Sequence, residues 1–152
     1  MGDTIVVGNT QKGFHFGIFD KNGKKIRSID LKQSKIPVTE EDKMNFMELF
    51  KNTVGSTRFK RFQNTKNPIF PDHYPPYDYF DLSDQKIYVR LYPIVNNTQQ
   101  LLVLDLEGNK LNQYTIPTHR AEAPFMIYNS HYCYLKEDED LEQWQLHMRK
   151  LN

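Results

Sequence analysis

Five histidines and one cysteine are the side chains of this chain best suited to metal or nucleophilic chemistry, and their spacing limits what they can do. His15, His73, His119, His131 and His147 form neither a His-Glu-x-x-His pattern nor a close His-x-His pair, so no zinc site is signalled. Cys133 stands alone, which excludes an intramolecular disulfide and a cysteine-built zinc site. Between Tyr132 and Tyr134 it reads as a small buried hydrophobe. His73 is the most site-like histidine. It sits in the loop 68–77, beside Asp72 and Tyr74 and just ahead of a strand. Loops held by a rigid scaffold are where ligands collect, so His73, Tyr74 and Tyr77 are candidate ligand-binding residues. His119 and Arg120, in Thr118-His119-Arg120-Ala121-Glu122, form a second candidate pair at a connection between two strand units. The competing readings are a packing loop for the first group and a solvated connector for the second.

Two charged stretches have weaker claims. Arg58, Lys60, Arg61 and Lys66 interleave with Phe59 and Phe62, a composition that can bind nucleic acid through phosphate contacts and base stacking. The stretch is short and the formal net charge is only +1, so an amphipathic strand accounts for it and no nucleic-acid partner is expected. Glu137-Asp138-Glu139-Asp140 lacks the spacing of a calcium loop and reads as a solvated turn. There is no Gly-rich phosphate loop, no Gly-x-Ser-x-Gly and no Ser-x-x-Lys. No catalytic residue, metal or cofactor is therefore assigned, and the balance leans away from an enzyme.

The elements that must carry these residues are mostly strands. The chain has 152 residues, 38% of them hydrophobic, with a mean hydropathy of −0.72. That suits thin sheets burying one face better than one deep core. Nine Tyr and ten Phe favour pleated, half-buried surfaces. No apolar run approaches the roughly 20 residues of a membrane-spanning helix. The first residues lack a basic region followed by a long apolar one, so they do not read as a signal peptide. The expected compartment is the bacterial periplasm or exterior if the native N-terminus is missing, and otherwise the cytoplasm.

An internal repeat organises the chain. Phe19-Asp20-Lys21-Asn22-Gly23-Lys24 lies over Leu104-Asp105-Leu106-Glu107-Gly108-Asn109, each followed by an alternating strand. Gly23 and Gly108 supply the positive φ that a tight hairpin turn needs. Thr4-Ile5-Val6-Val7 matches Lys86-Ile87-Tyr88-Val89 ahead of these hairpins. Ser130-His131-Tyr132-Cys133-Tyr134-Leu135-Lys136, set against Asp84-Gln85-Lys86-Ile87-Tyr88-Val89-Arg90, gives a third copy 46 residues on. Residues 1–32 thus supply strands b to d of a first unit, 75–117 a complete four-stranded unit, and 118–152 strands a to c of a last one. Residues 33–74 are a helical insertion and loop. There Thr39 caps a helix over 40–54 with Glu40, Glu41 and Asp42 in its first turn, and Gly55 ends it. Trp144, a large aromatic in a strand, is expected to be buried between sheets.

With Phe70-Pro71 and His73 through Pro75, the strand Lys86-Ile87-Tyr88-Val89, and Leu102-Val103-Leu104-Asp105-Leu106-Glu107-Gly108-Asn109, the chain resembles six-bladed β-propeller proteins of the TolB-like and NHL-like type. The resemblance implies an all-β, propeller-like array of about three antiparallel three- to four-stranded blades with one helical insertion, about half such a ring. It implies a non-catalytic scaffold for an unknown ligand or protein, acting through loops at the ring opening. The alternatives are a hydrolase or lyase grafted onto those loops, or a structural half-ring that acts only by association. An array of this size has uncapped sheets at its ends, so self-association or the remainder of a longer propeller is the expected partner.

Overall fold

In a computed structural model, which describes residues 4–65, 68–92, 94, 98–117, 125–138 and 142–151, the chain forms ten strands and two α-helices. Among the described residues strand accounts for 53% and helix for 21%, and the strands form three antiparallel sheets. The β-rich expectation holds. Two compact units share the chain: a sheet unit of residues 1–33 and 75–152, and a helical unit of residues 34–74.

In the helical unit, α1 spans Glu40–Val54. Thr39 Oγ1 accepts from the Asp42 backbone N–H, and the Asp42 carboxylate accepts from the Thr39 backbone N–H, a reciprocal cap. Hydrogen bonds from the Thr39 hydroxyl and backbone hold the Asp42 carboxyl below its ordinary pKa. A second helix, α2 (Ser56–Thr65), follows Gly55 directly, its Phe59 N–H donating to the Gly55 carbonyl. This corrects the strand reading of residues 58–62. Phe59 and Phe62 lie three apart, which puts them on one side of a helix but on opposite faces of a strand. Phe50 meets both rings, at centroid distances of 6.1 and 5.1 Å, while Phe46 meets Phe70 at 5.6 Å.

The sheet unit is a succession of meanders: β1 (Thr4–Gly8), β2 (Phe14–Asp20) and β3 (Lys25–Leu31); β4 (Tyr77–Ser83), β5 (Lys86–Leu91), β6 (Thr98–Asp105) and β7 (Lys110–Pro117); β8 (Phe125–Tyr128), β9 (His131–Asp138) and β10 (Gln143–Lys150). Every strand pairs with its neighbour in the chain. The repeated turns are built alike. Asp20 Oδ1 accepts from the backbone N–H groups of Asn22 and Lys24, and Asp105 Oδ1 from those of Glu107 and Asn109. The glycines stand at φ 79° and 91°. Even the irregularity recurs: the register slips between Ile18 and Phe19 in one hairpin and between Val103 and Leu104 in the other.

The third copy of the repeat falls one residue from the sequence alignment. The β4–β5 turn puts Asp84 and Gln85 at positive φ, and the β8–β9 turn does the same with Asn129 and Ser130. The true offset is therefore 45 residues, and it runs without a gap to the last strand, where Leu101 corresponds to Leu146 and Val103 to Met148. A slip of one residue exchanges the two faces of a strand. The repeat equivalent of Ile87 is the buried Tyr132, and that of Tyr88 is Cys133.

The middle sheet is covered on both faces. Ile87, Val89, Leu102 and Leu104 pack against Phe14, Phe16, Ile18 and Ile29 of the first sheet. Tyr88, Leu101, Val103 and Ile116 pack on the other side against Ile127, Tyr132 and Leu151 of the last. Phe16, with no exposure, stacks on Tyr77 at 5.0 Å and meets Phe80 edge-on at 5.1 Å. The turn glycine of the middle sheet reaches the first: a Cβ on Gly108 would lie 2.7 Å from Ile29 Cγ2. Trp144 corrects the other expectation. It is 55% exposed, because its side of the last sheet has no covering layer among the described residues.

Candidate functional site

Where β4 starts, β5 ends and β6 starts, three polar side chains converge at one end of the middle sheet. Asp78, in the irregular step between Tyr77 and Tyr79, turns its carboxylate toward Arg90. Arg90 Nε donates to Asp78 Oδ1 and a terminal nitrogen to Oδ2, each at 2.8 Å, a two-pronged pair with both side chains about one-fifth exposed. Gln99, only 2% exposed, places its Nε2 3.4 Å from Asp78 Oδ2 and from the Leu91 carbonyl. Alternation puts Arg90 on the same face as Tyr88, toward the last sheet. Its guanidinium lies 4.3 Å from the centroid of Phe125 and 5.8 Å from that of Tyr79.

Tyrosines surround this pair. Burial pushes the Tyr132 phenol up to about 12, against a weaker pull from the Arg90 cation. Burial likewise raises Tyr79 and Tyr92, with the Asp81 and Asp78 carboxylates adding to it. These rings stay neutral across the physiological range and act as hydrogen-bonding apolar walls. Nearby, the Ile127 N–H donates to Asp81 Oδ2 at 3.3 Å, joining β8 to β4. The arrangement sets a two-pronged ion pair against aromatic faces. Its fixed ion pair supplies orientation and charge, with no nucleophile among the groups named.

The residues singled out in the sequence fall elsewhere. His73 and Tyr74 belong to the helical unit, where Pro37 and His73 form an antiparallel bridge and the Tyr74 N–H donates to the Ile36 carbonyl. Tyr77 belongs to the sheet unit and is a core residue at 4% exposure, its hydroxyl donating to the His15 carbonyl at 3.3 Å. His119 and Arg120 lie outside the described residues. His15 pairs with Asp30 at 2.6 Å on the outer side of the first sheet. His147 stacks on Tyr134 at 5.2 Å, its Nε2 buried without a hydrogen-bond partner among the described residues. No group of three metal-ligating side chains occurs among the described residues. No helix there is long and apolar enough to cross a membrane.

The Asp78–Arg90 pair escaped sequence reasoning. The signal was an arginine two residues after a core tyrosine, on what alternation makes an interior face. Comparison with family models, curated proteins and solved structures gives no match in any of the three.

Proposed function

We propose that the chain is a non-catalytic binding scaffold of β-propeller-like build, akin to the TolB-like and NHL-like proteins, acting through the strand-end rim that carries Asp78, Arg90 and Gln99. The supporting observation is the preorganised pair itself. A two-pronged ion pair walled by Phe125 and Tyr79 holds its geometry at the strand ends Leu91, Thr98 and Phe125, where connecting loops leave the sheets. The lateral joining of β4 to β8 through Asp81 agrees with blades set side by side along their first strands. His119 and Arg120, which follow β7 and precede β8 in the sequence, are kept as candidate ligand-binding residues of this proposal.

A thermal-shift panel of sugars, peptides, nucleotides and divalent metals tests this. The expected result is a shift of several degrees with one non-metal class. That shift falls by at least half in Arg90→Lys, which keeps the charge but loses the fork. A metal-dependent shift abolished by His73→Ala or His119→Ala, or turnover of any panel member, favours a hydrolase or lyase instead. The outer faces of the first and last sheets, uncovered among the described residues, favour a second reading, action by association.

A further inference from the structure

We infer that this chain binds a second copy of itself head to tail, the outer face of the last sheet of one copy on the outer face of the first sheet of the other. The argument rests on the repeat register and is independent of the rim reading. The outer face of the last sheet presents Met126, Tyr128, Trp144, Leu146 and Met148, each between 53% and 64% exposed. With the 45-residue offset, Trp144, Leu146 and Met148 stand where the middle sheet has Gln99, Leu101 and Val103. Those three are 2%, 1% and 4% exposed, because the last sheet covers that face of the middle one.

The first sheet presents the reciprocal face. Ile5 and Val7, 47% and 49% exposed, stand where the middle sheet has Ile87 and Val89, which the first sheet covers completely. The molecule therefore uses one joint twice internally, the following-side face of a sheet on the preceding-side face of the next. Among the described residues one half of that joint is left open on the first sheet and the other half on the last. The halves match each other and do not match themselves, so the contact they make is heterologous.

The surface available is sufficient. Seven half-exposed large side chains offer roughly 100 Å² each, or about 700 Å² per contact. Two copies that close on each other make the contact twice, about 1,400 Å², within the range of about 1,200–2,000 Å² for stable specific complexes. An open-ended chain of copies would use it once per copy. Closure covers both of these faces in each copy, whereas an open-ended chain leaves one of them bare at each terminus.

Sedimentation velocity and light scattering between about 1 and 100 µM test the proposal, with Leu146→Glu and Val7→Glu as variants. Both positions are exposed in the single chain, and unchanged circular dichroism is the check on folding. The wild type is expected at twice 18.1 kDa. Each variant alone is expected at 18.1 kDa, with association weakened at least tenfold. An equimolar mixture of the two variants restores one of the two contacts intact, so it associates more strongly than either variant alone and more weakly than the wild type. Emission from Trp144, the single tryptophan, moves to shorter wavelength as the wild type associates. A wild type that stays monomeric at 100 µM overturns the inference and leaves these faces to another polypeptide. So does self-association that survives Val7→Glu but not Leu146→Glu, the signature of a last-sheet face pairing with itself.

Discussion

The middle and last sheets share one strand plan, 45 residues apart, yet they use it in opposite ways. Gln99 is a polar residue sealed at 2% exposure, while Trp144, at the same place in the repeat, is 55% exposed. A side chain's burial here is set by whether its sheet has a neighbour, and only secondarily by its own chemistry. Gln99 is tolerated inside because Asp78 and the Leu91 carbonyl lie within reach of its amide. Trp144 stands outside, opposite Glu137 of β9, since nothing in the described chain lies over it.

The sharpest way to break this comparison is a matched pair of truncations. Leu101→Ala removes a side chain 1% exposed and should cost about 2–5 kcal/mol in denaturant unfolding. Leu146→Ala, its counterpart at 64% exposure, should cost less than about 0.5 kcal/mol in dilute, monomeric protein. Equal costs would mean that the two faces are not distinguished by a covering sheet.

A second pair compares the two turns. Gly23 and Gly108 both hold positive φ, and alanine at either loses about 1–2 kcal/mol on that ground. Gly23 has open space around it, whereas a Cβ on Gly108 meets Ile29. Gly108→Ala should therefore cost about 2–4 kcal/mol, the excess being the clash between sheets. Replacing Ile29 with valine in that background should recover part of the excess if Cδ1 removal lets the side chain shift.

A further effect concerns the covered interface at high pH. Tyr132 ionises near 10 when unfolded and at about 12 when folded. Below pH 10 both states keep the proton and the contribution is complete. Between pH 10 and 12 the unfolded chain releases it first, so stability falls by roughly 1.4 kcal/mol per pH unit from this residue. Tyr88, also raised by burial, adds in the same direction. Unfolding midpoints measured across that range check this; Tyr132→Phe should flatten the slope.

What could be read without coordinates followed local chemistry. The Asp-x-x-Gly turns state their own geometry, so the first-to-middle repeat and its hairpins were legible, as was α1 from Thr39 and its acidic first turn. The last copy slipped by one because Tyr132-Cys133-Tyr134 alternates aromatic and small in a way that fits either face. Its true phase is set by the Asn129-Ser130 turn, which carries no glycine to announce it. Two phenylalanines three apart are the mark of α2, a short signal set among basic residues that fit a strand as well as a helix. The Asp78–Arg90 pair was illegible for a different reason. Twelve residues separate its members, and only the irregular pairing of β4 with β5 turns Asp78 toward Arg90.

Because every strand hydrogen-bonds only to the strand before or after it, no sheet has to wait for a distant part of the chain to find it. Loop closure is cheap for such hairpins, and each sheet can form as a local event before docking on its neighbour. The same locality governs opening. Among the described residues the last sheet is held on one side, and its first strand, β8, has four residues. Its amides should exchange with solvent through partial openings well below the global unfolding energy, while β5 and β6, clasped from both sides, exchange last. The array frays from its ends inward, and a partner that seals those ends would slow the clock of the whole molecule.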